Sequence, residues 1–452
     1  MSVRFDLDLI ERLSAPVPRY TSYPTAPHFY AFENKTYANW LRALPENAEI
    51  SLYLHIPFCD TLCWFCGCTT KHTLKYSPIS NYLKGLEKEL RAVSAMVPKT
   101  SRIRNIHWGG GSPTILNAKD IRSLAKLTAD LFTLRQNAEF SVEIDPRGIR
   151  EDQIDALLCS GLTRASIGVQ DFDPNVQQAI NRIQPFEETQ RVVSALRDGG
   201  VTSINLDVLY GLPHQTEFTL AQTIEKVGIL DADRVSLFGY AHVPWMKSHQ
   251  RMIKLEHLPD IQQRFQQAQF AAKLLTDQGY TAIGMDHFAK PDDTLARAQS
   301  ERTLKRNFQG YTAETYDALL GVGASAISQL PQGYVQNHVP TSDYLRAVNG
   351  AGLAACKGFT LTYDDAVRAY TIERLMCDFE LSYAMLRDTF GASSQEVIRE
   401  AMAFAAYDQD RLCAATPYGL IVTAKGKPFI RTICAWFDTY LKNGKAKHSL
   451  AV

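Results

Sequence analysis

The run His55-Ile56-Pro57-Phe58-Cys59-Asp60-Thr61-Leu62-Cys63-Trp64-Phe65-Cys66-Gly67-Cys68 decides the fold. It places four of the chain's nine cysteines within ten residues, in the order C-x3-C-x2-C-x-C. They directly follow Ile50–His55, a short run that reads as a β-strand. An iron–sulfur cube takes up to four thiolates. Three cysteines at this spacing wrap one cube and leave one iron without a protein ligand, the open position that catalysis at a metal requires. A zinc site would need a second C-x-x-C knuckle or histidines at a set distance, and none follows. Cys68 reads either as a fourth ligand or as a thiol with another role beside the cluster. The second reading is preferred, because a fourth ligand would close the reactive iron.

Working outward, short β-branched or aromatic runs alternate with amphipathic segments through residues 50–240. The strands are Ile50–His55, Ile103–Trp108, Glu139–Asp145, Arg164–Val169, Ser203–Leu209 and Arg234–Tyr240. Between them lie helical stretches at Ser80–Met96, Asn117–Phe132, Glu151–Leu158, Pro185–Arg197 and Glu217–Leu230. Such alternation implies βαβ units and a parallel sheet, here an incomplete α/β barrel of six units. Ligands in such folds sit at the carboxyl ends of the strands, where the cysteine run begins.

Residues 1–49 carry Pro16, Pro18, Pro24 and Pro27 and read as a largely extended strap over the barrel mouth. A lid there is physically sensible for a reactive intermediate that must be kept from water. Residues 50–330 form the barrel and its extension, with a long helix at Leu258–Gln278. Residues 331–452 read as a mostly helical domain: Tyr363–Cys377, Ser382–Phe390, Ser394–Ala405 and Pro428–Leu441, with Gly419–Thr423 completing a winged-helix-like module.

With 452 residues, 45% apolar and 21% charged, the composition is that of a globular protein of two or three domains. Lys plus Arg and Asp plus Glu both number 48, which argues against a large nucleic-acid footprint. The C-terminal domain, with thirteen basic and twelve acidic residues, is likewise read as a packing lid rather than a DNA reader. Met1–Leu13 shows no signal-peptide pattern, and the uncharged run Ala318–Ser342 is too polar to span a bilayer. The expectation is a cytoplasmic protein with reduced cysteines and no membrane contact. Cys159, Cys356, Cys377, Cys413 and Cys434 read as small hydrophobes.

Further motifs narrow the reading: Arg19–Ala26, Trp108-Gly109-Gly110-Gly111-Ser112-Pro113-Thr114, Glu143-Ile144-Asp145-Pro146-Arg147, Gly168–Phe172, Asn205–Pro213, Tyr240-Ala241-His242, Gly284–Phe288 and Arg306–Tyr311. With the cysteine run they resemble, over essentially the whole chain, the oxygen-independent coproporphyrinogen III oxidase family of the radical-SAM superfamily. Ser112, Gly239 and Trp64 stand where the family pattern has Thr, Asn and Tyr. The Gly239 departure puts one local hydrogen bond in question.

The resemblance implies an incomplete (β/α)6 radical-SAM barrel. It implies one [4Fe–4S] cluster on Cys59, Cys63 and Cys66, with S-adenosylmethionine (SAM) at the open iron, and a second SAM nearby. It assigns Tyr53, Gly110, Glu143 and Ile327 to the first SAM. It assigns Phe65, Gly111, Ser112, Gln170, Arg182, Asp207 and Ala241 to the second, and counts Cys68 and Tyr53 among the catalytic groups. Residue chemistry is compatible. A glycine run lets backbone approach a ligand, Arg182 suits a carboxylate, and Asp207 or Glu143 suits an ammonium. Taken singly, each has a bland alternative as a turn, a core residue or a barrel salt bridge.

The activity implied is oxidative decarboxylation of two propionates of coproporphyrinogen III to the vinyl groups of protoporphyrinogen IX, in haem and porphyrin biosynthesis. A 5′-deoxyadenosyl radical starts it, and the protein's part is positioning and exclusion. A low-potential, flavodoxin- or ferredoxin-like electron donor and a monomeric state are expected. Two rivals are a haem-binding or haem-delivering paralogue and a haem-opening radical-SAM methyltransferase. The paralogue would lack the Arg19–Ala26 strap and carry Phe at position 68.

Overall fold

The computed structural model describes residues 5–441; Met1–Arg4 and Lys442–Val452, the outer ends of the expected strap and C-terminal domain, lie outside it. Six parallel strands follow the expected order: β1 (Glu49–Ile56), β2 (Arg102–Gly110), β3 (Leu134–Ile144), β4 (Arg164–Gln170), β5 (Ser203–Tyr210) and β6 (Arg234–Gly239). Between them run α1 (Tyr76–Met96), α2 (Ala118–Leu131), α3 (Glu151–Cys159), α4 (Phe186–Asp198) and α5 (Glu217–Ile229). A seventh parallel strand, β7 (Ala318–Val322), pairs with β1 on its free side. The sheet stays open, because short antiparallel strands extend both of its edges rather than closing it.

Side chains alternate across each strand. Leu52, Leu54, Trp108, Val142, Ile167, Leu206 and Val235 point outward and are buried. The inward face is polar. Register places Tyr53 beside His107, His107 beside Ser141, Glu143 beside Ser166, Ser166 beside Asn205, and Asp207 beside Ser236. A lumen lined by such groups is a binding chamber; a closed structural barrel would be filled with branched apolar side chains. Its cavity is about 190 Å³ and includes His107, Glu143, Ser166, Asn205, Asp207 and His287.

Several boundaries differ from expectation. β3 begins at Leu134 rather than Glu139; its first residues are exposed and give no alternation to read. The strap contains two helices, Leu7–Leu13 and Asn34–Arg42. Pro16, Pro18, Pro24 and Pro27 fall between those helices and Pro45 just after the second, where proline is tolerated. The uncharged run Ala318–Ser342 forms three strands, β7, Ile327–Leu330 and Gly333–Asn337. Gly333–Asn337 and Ala355–Thr360 lie past the expected boundary at 330 yet pair into the main sheet. Among the described residues the last α-helix is only Ile430–Ala435; beyond it the Asp438 carboxylate takes the N–H groups of Tyr440 and Leu441 and turns the chain. No described helix is long and apolar enough to cross a membrane.

A second core joins the two ends of the chain. Leu9, Ile10, Val17, Tyr20 and Tyr23 of the strap pack with Leu375, Phe429, Ile433 and Phe437. Tyr20 donates to Asp438 at 3.1 Å, and the Arg431 guanidinium donates to the carbonyls of Val17 and Pro18. Arg19 then reaches from the strap to the Gly239 carbonyl at the carboxyl end of β6, 3.0 Å away. The strap is thus fastened to the C-terminal domain and laid against the barrel mouth.

Candidate functional site

The cysteine run leaves β1 at its carboxyl end and folds across the lumen. Cys63 is buried, Cys59 and Cys66 are half-buried, and Cys68 is exposed. Each of the first three sulfurs has a polar neighbour. Cys59 Sγ lies 3.1 Å from Thr70 Oγ1, Cys63 Sγ accepts from Arg147 at 3.4 Å and Arg182 at 3.5 Å, and Cys66 Sγ accepts the Cys68 N–H at 3.3 Å. Burial pushes the Cys59 thiol up to about 12, whereas hydrogen bonding with Cys68 draws Cys66 down to about 7. N–H donors aimed at sulfur favour thiolates. Among the described residues no three His, Cys, Asp or Glu side chains converge closely enough to hold a single metal ion. A cube of four irons spreads its thiolates over separate irons, so three sulfurs presented by one loop fit an iron–sulfur cluster.

A second loop carries much of the geometry. The carbonyls of Phe65, Cys66 and Cys68 accept from Gln250 at 2.9 Å, His249 at 2.8 Å and Lys247 at 2.8 Å. Gln250 also donates to the Ala241 carbonyl at 3.1 Å, which brings Phe65 and Ala241 together. Sequence reasoning missed this clasp. Its contacts end on backbone carbonyls far away in the chain, which leave no mark in a motif.

Tyr53 and His55 stand two residues apart on one face of β1. The Tyr53 hydroxyl meets His55 Nδ1 at 2.9 Å, and His55 Nε2 meets the Thr69 carbonyl at 3.0 Å. The carbonyl requires Nε2 to carry the proton, so Tyr53 donates to Nδ1. Burial lowers the His55 pKa and keeps the ring neutral. Tyr53 stacks on His107 at 5.6 Å between centroids. The two-residue spacing of Tyr53 and His55 was a usable signal that went unread.

Gly110 has φ of 122°, and a Cβ there would stand 2.7 Å from the His55 ring, so only glycine fits. Its N–H donates to Glu143 Oε2 at 3.0 Å, and His107 Nε2 lies 3.3 Å from Glu143 Oε1. Enclosure raises the Glu143 pKa, but His107 and the Gly110 N–H outweigh it and hold the carboxyl below its usual range. The N–H groups of Gly111 and Ser112 are taken by the carbonyls of Ile56 and Phe58. The Ser112 hydroxyl is buried against Thr114 at 2.9 Å. Ile327 opens the strand next to Gly321, the register partner of Tyr53.

Arg182 and Asp207 do not pair with each other. Arg182 grips Asp145 at 3.2 and 3.3 Å and the Gly168 carbonyl at 2.7 Å, beside Cys63. Asp207 faces the lumen, accepting from Asn205 at 2.8 Å and Ser166 at 3.1 Å. Burial, with Glu143 nearby, raises Asp207 to about 6. Burial also raises Asp145, yet Arg182 and Arg147 bring it down to about 2. Gln170 ends β4 at φ 70°, with its amide nitrogen beside the Arg182 guanidinium over Gly168. Asp145 and Arg147, to which the sequence gives no role, hold Arg182 and Cys63 in place.

The family model for the radical SAM superfamily matches residues 53–227. The chain is 45% identical to the oxygen-independent coproporphyrinogen III oxidase of Bradyrhizobium diazoefficiens, over 96% of this chain and 97% of that protein. It is 44% identical to the enzyme of the same name from Paracoccus denitrificans, over the full length of both. Among solved structures, coproporphyrinogen III oxidase from Escherichia coli, described as a radical SAM enzyme, superposes with a TM-score of 0.91 at 40% identity, covering 97% of this chain and all of that one.

Proposed function

Because the chain belongs to the oxygen-independent coproporphyrinogen III oxidases of the radical SAM superfamily, we infer that it converts two propionate side chains of coproporphyrinogen III to vinyl groups, giving protoporphyrinogen IX. The observation that carries the reading is the cysteine loop at the carboxyl end of β1, held over a polar lumen. Bound there, a [4Fe–4S] cluster and SAM supply the one-electron chemistry that removes hydrogen from the propionate.

Cys59, Cys63 and Cys66 are the three cluster ligands in this reading, and Cys68 stays outside the ligand set as a thiol beside the reacting groups. Arg147 and Arg182 fix the Cys63 end of the loop. Tyr53, Gly110, Glu143 and Ile327 bind the first SAM, with the Glu143 carboxylate positioned for its ammonium group. A second SAM rests on Phe65, Gly111, Ser112, Gln170, Arg182, Asp207 and Ala241. Arg182 can serve that ligand's carboxylate only by sharing its guanidinium with Asp145. The strap, fastened at Tyr20 and Arg19, keeps water from the mouth. We read the protein as a cytoplasmic monomer that takes electrons from a low-potential carrier of flavodoxin or ferredoxin type.

The test is anaerobic reconstitution with iron, sulfide, coproporphyrinogen III, SAM and a reductant, with product mass analysis. Loss of two carboxyl groups as CO2 from each porphyrinogen supports the reading. Cleaved SAM with intact substrate, or an opened or methylated haem, overturns it.

A further inference from the structure

The clasp has an outer face that the reaction does not use. Residues 245–257 lie against the cysteine loop through Lys247, His249 and Gln250, and Ile253 is buried beneath them with Val176, Ile180 and Leu212. Trp245, Met246, Met252 and Leu255 nevertheless stand more than half exposed within eleven residues of chain. Exposed large apolar side chains gathered in this way mark an interaction surface more often than isolated ones do. Arg251 and Lys254 are exposed among them. Counting Lys247, the segment has three fixed positive charges against the single carboxylate of Glu256.

Beside this face is a groove of about 440 Å³, with Trp64, Met252, Lys254 and His257 in its walls. Trp64 lies between Cys63 and Cys66 in the cysteine loop, where its backbone N–H donates to the Ile180 carbonyl at 2.9 Å, and its side chain lines the groove. An indole ring therefore runs from the groove to the ligand loop, so a partner seated in the groove comes close to the cluster without entering the lumen. The lumen itself must stay closed to hydrogen donors. The electron has to arrive from another side.

We propose that the face formed by Trp245, Met246, Met252 and Leu255, with Arg251 and Lys254, is the docking surface for an acidic flavoprotein that delivers electrons to the cluster one at a time. The proposal rests on the radical-SAM reading above. Charge complementarity selects an acidic partner. The apolar centre selects a flavin carrier, whose isoalloxazine ring presents an apolar dimethylbenzene edge. In each transfer the flavin hydroquinone gives up one electron and one proton and becomes the neutral semiquinone. The electron reduces the cluster from its 2+ to its 1+ state, and the proton passes to solvent. Such contacts are small and transient and depend on ionic strength.

The test uses the full-length, cluster-loaded protein and flavodoxin, in the parent and in two variants, R251E/K254E and M252E. Calorimetric titration is expected to show flavodoxin affinity lowered by about tenfold or more in both. Added salt should weaken binding to the parent and have little effect on R251E/K254E. Reduction of the cluster by flavodoxin hydroquinone should slow to match, while reduction by dithionite and the cluster's absorbance stay as in the parent. Unchanged flavodoxin affinity in both variants overturns the proposal. A parent that binds ferredoxin on this face but not flavodoxin overturns the flavin assignment. A parent that makes no protoporphyrinogen with dithionite fails the functional reading instead, and the binding titration still judges the surface.

Discussion

Arg182 spans from the Asp145 carboxylate, at 3.2 Å, to Cys63 Sγ, at 3.5 Å, so one guanidinium joins β3 to the cysteine loop. From the sequence, Arg182 and Asp207 read as the two arms of an amino-acid clamp whose loss would spare the cluster. The geometry changes that expectation. Hydrogen bonds to charged groups are typically worth about 1.5–3 kcal/mol, and removal of Arg182 also leaves Asp145 with only Arg147. Arg182→Ala should therefore retain clearly less iron after reconstitution, and bind SAM roughly tenfold or more weakly. Asp207→Asn should keep its iron and lose only SAM affinity. Iron analysis and equilibrium dialysis on the two folded variants separate these outcomes. Full iron retention in Arg182→Ala would return Arg182 to a purely ligand-binding role.

Cys68 sits differently from the other three cysteines. Its N–H supports Cys66 Sγ and its carbonyl is tied to Lys247, while the residue itself is exposed. Cys68→Ala keeps both backbone contacts. The variant should hold a normal complement of iron and cleave SAM, yet form little protoporphyrinogen. Loss of iron as complete as in Cys59→Ala would make Cys68 a ligand.

The barrel was legible because its physics is local. Strands β1–β6 each carry an apolar outward face, and the helices between them show helical periodicity. The antiparallel strands from Ile327 to Thr360 were missed, because a glycine- and glutamine-containing run such as Gly333–Asn337 becomes a strand only through its partners. In the site, the sequence singles out residues with a motif of their own, such as Cys59 and Glu143, and the structure brings both to the carboxyl ends of the barrel strands. Residues that act through a backbone carbonyl, such as Gln250 and His249, are not singled out. Spacing along a chain carries no information about which distant carbonyl a side chain will meet.

Gly239 shows how a departure from a family pattern becomes interpretable in three dimensions. A Cβ at this position would stand 2.6 Å from Arg264 Nη2 and 2.8 Å from the Tyr210 hydroxyl. Arg264 lies over the Tyr210 ring, and its guanidinium donates to the Tyr240 carbonyl. Gly239→Asn should push Arg264 aside and disturb the Arg19 contact that lays the strap on the barrel. Overpacking typically costs about 1–3 kcal/mol, and a mobile guanidinium should keep the cost near the lower end. The variant is expected to melt slightly lower and to be cut faster by trypsin at Arg19. Unchanged cleavage would mean that the strap does not depend on this contact.

Glu89 on α1 is buried and accepts from the Gly323 N–H at 2.8 Å, Asn337 Nδ2 at 2.7 Å and the Tyr344 hydroxyl at 2.7 Å. Burial outweighs these donors and raises its pKa from 4.5 to about 7. Between those values the folded chain holds a proton that the unfolded chain has lost. Stability contributed by this group is therefore full below pH 4.5, falls as pH rises, and levels off above about 7. The drop is on the order of 3 kcal/mol. Glu89→Gln removes the titration but turns an amide N–H towards one of the three donors. Its absolute stability should be lower at acidic pH, and its melting temperature should fall less steeply across this window than that of the parent. Parallel pH profiles would show that Glu89 has an ordinary pKa.

Glu143 holds two donors at once, the Gly110 N–H and His107, and they keep it ionised. Glu143→Gln preserves the shape. The amide oxygen can still accept from Gly110. Its NH2 can face His107 if that ring moves its proton to Nδ1, towards the Ser141 hydroxyl 2.7 Å away. The fold and the iron content should therefore be unchanged. What disappears is the negative charge available to the ammonium of SAM, and loss of one ionic hydrogen bond corresponds to roughly tenfold or more in affinity. Because the carboxyl is held below its usual range, SAM binding by the parent should stay level through mildly acidic pH. The variant should bind weakly throughout. Anaerobic titration of SAM into both cluster-loaded proteins measures this directly, with reductive cleavage to methionine and 5′-deoxyadenosine as a second readout. Equal SAM affinity and equal cleavage in the two proteins would remove Glu143 from the first SAM site and leave it as the anchor of the Gly110 turn.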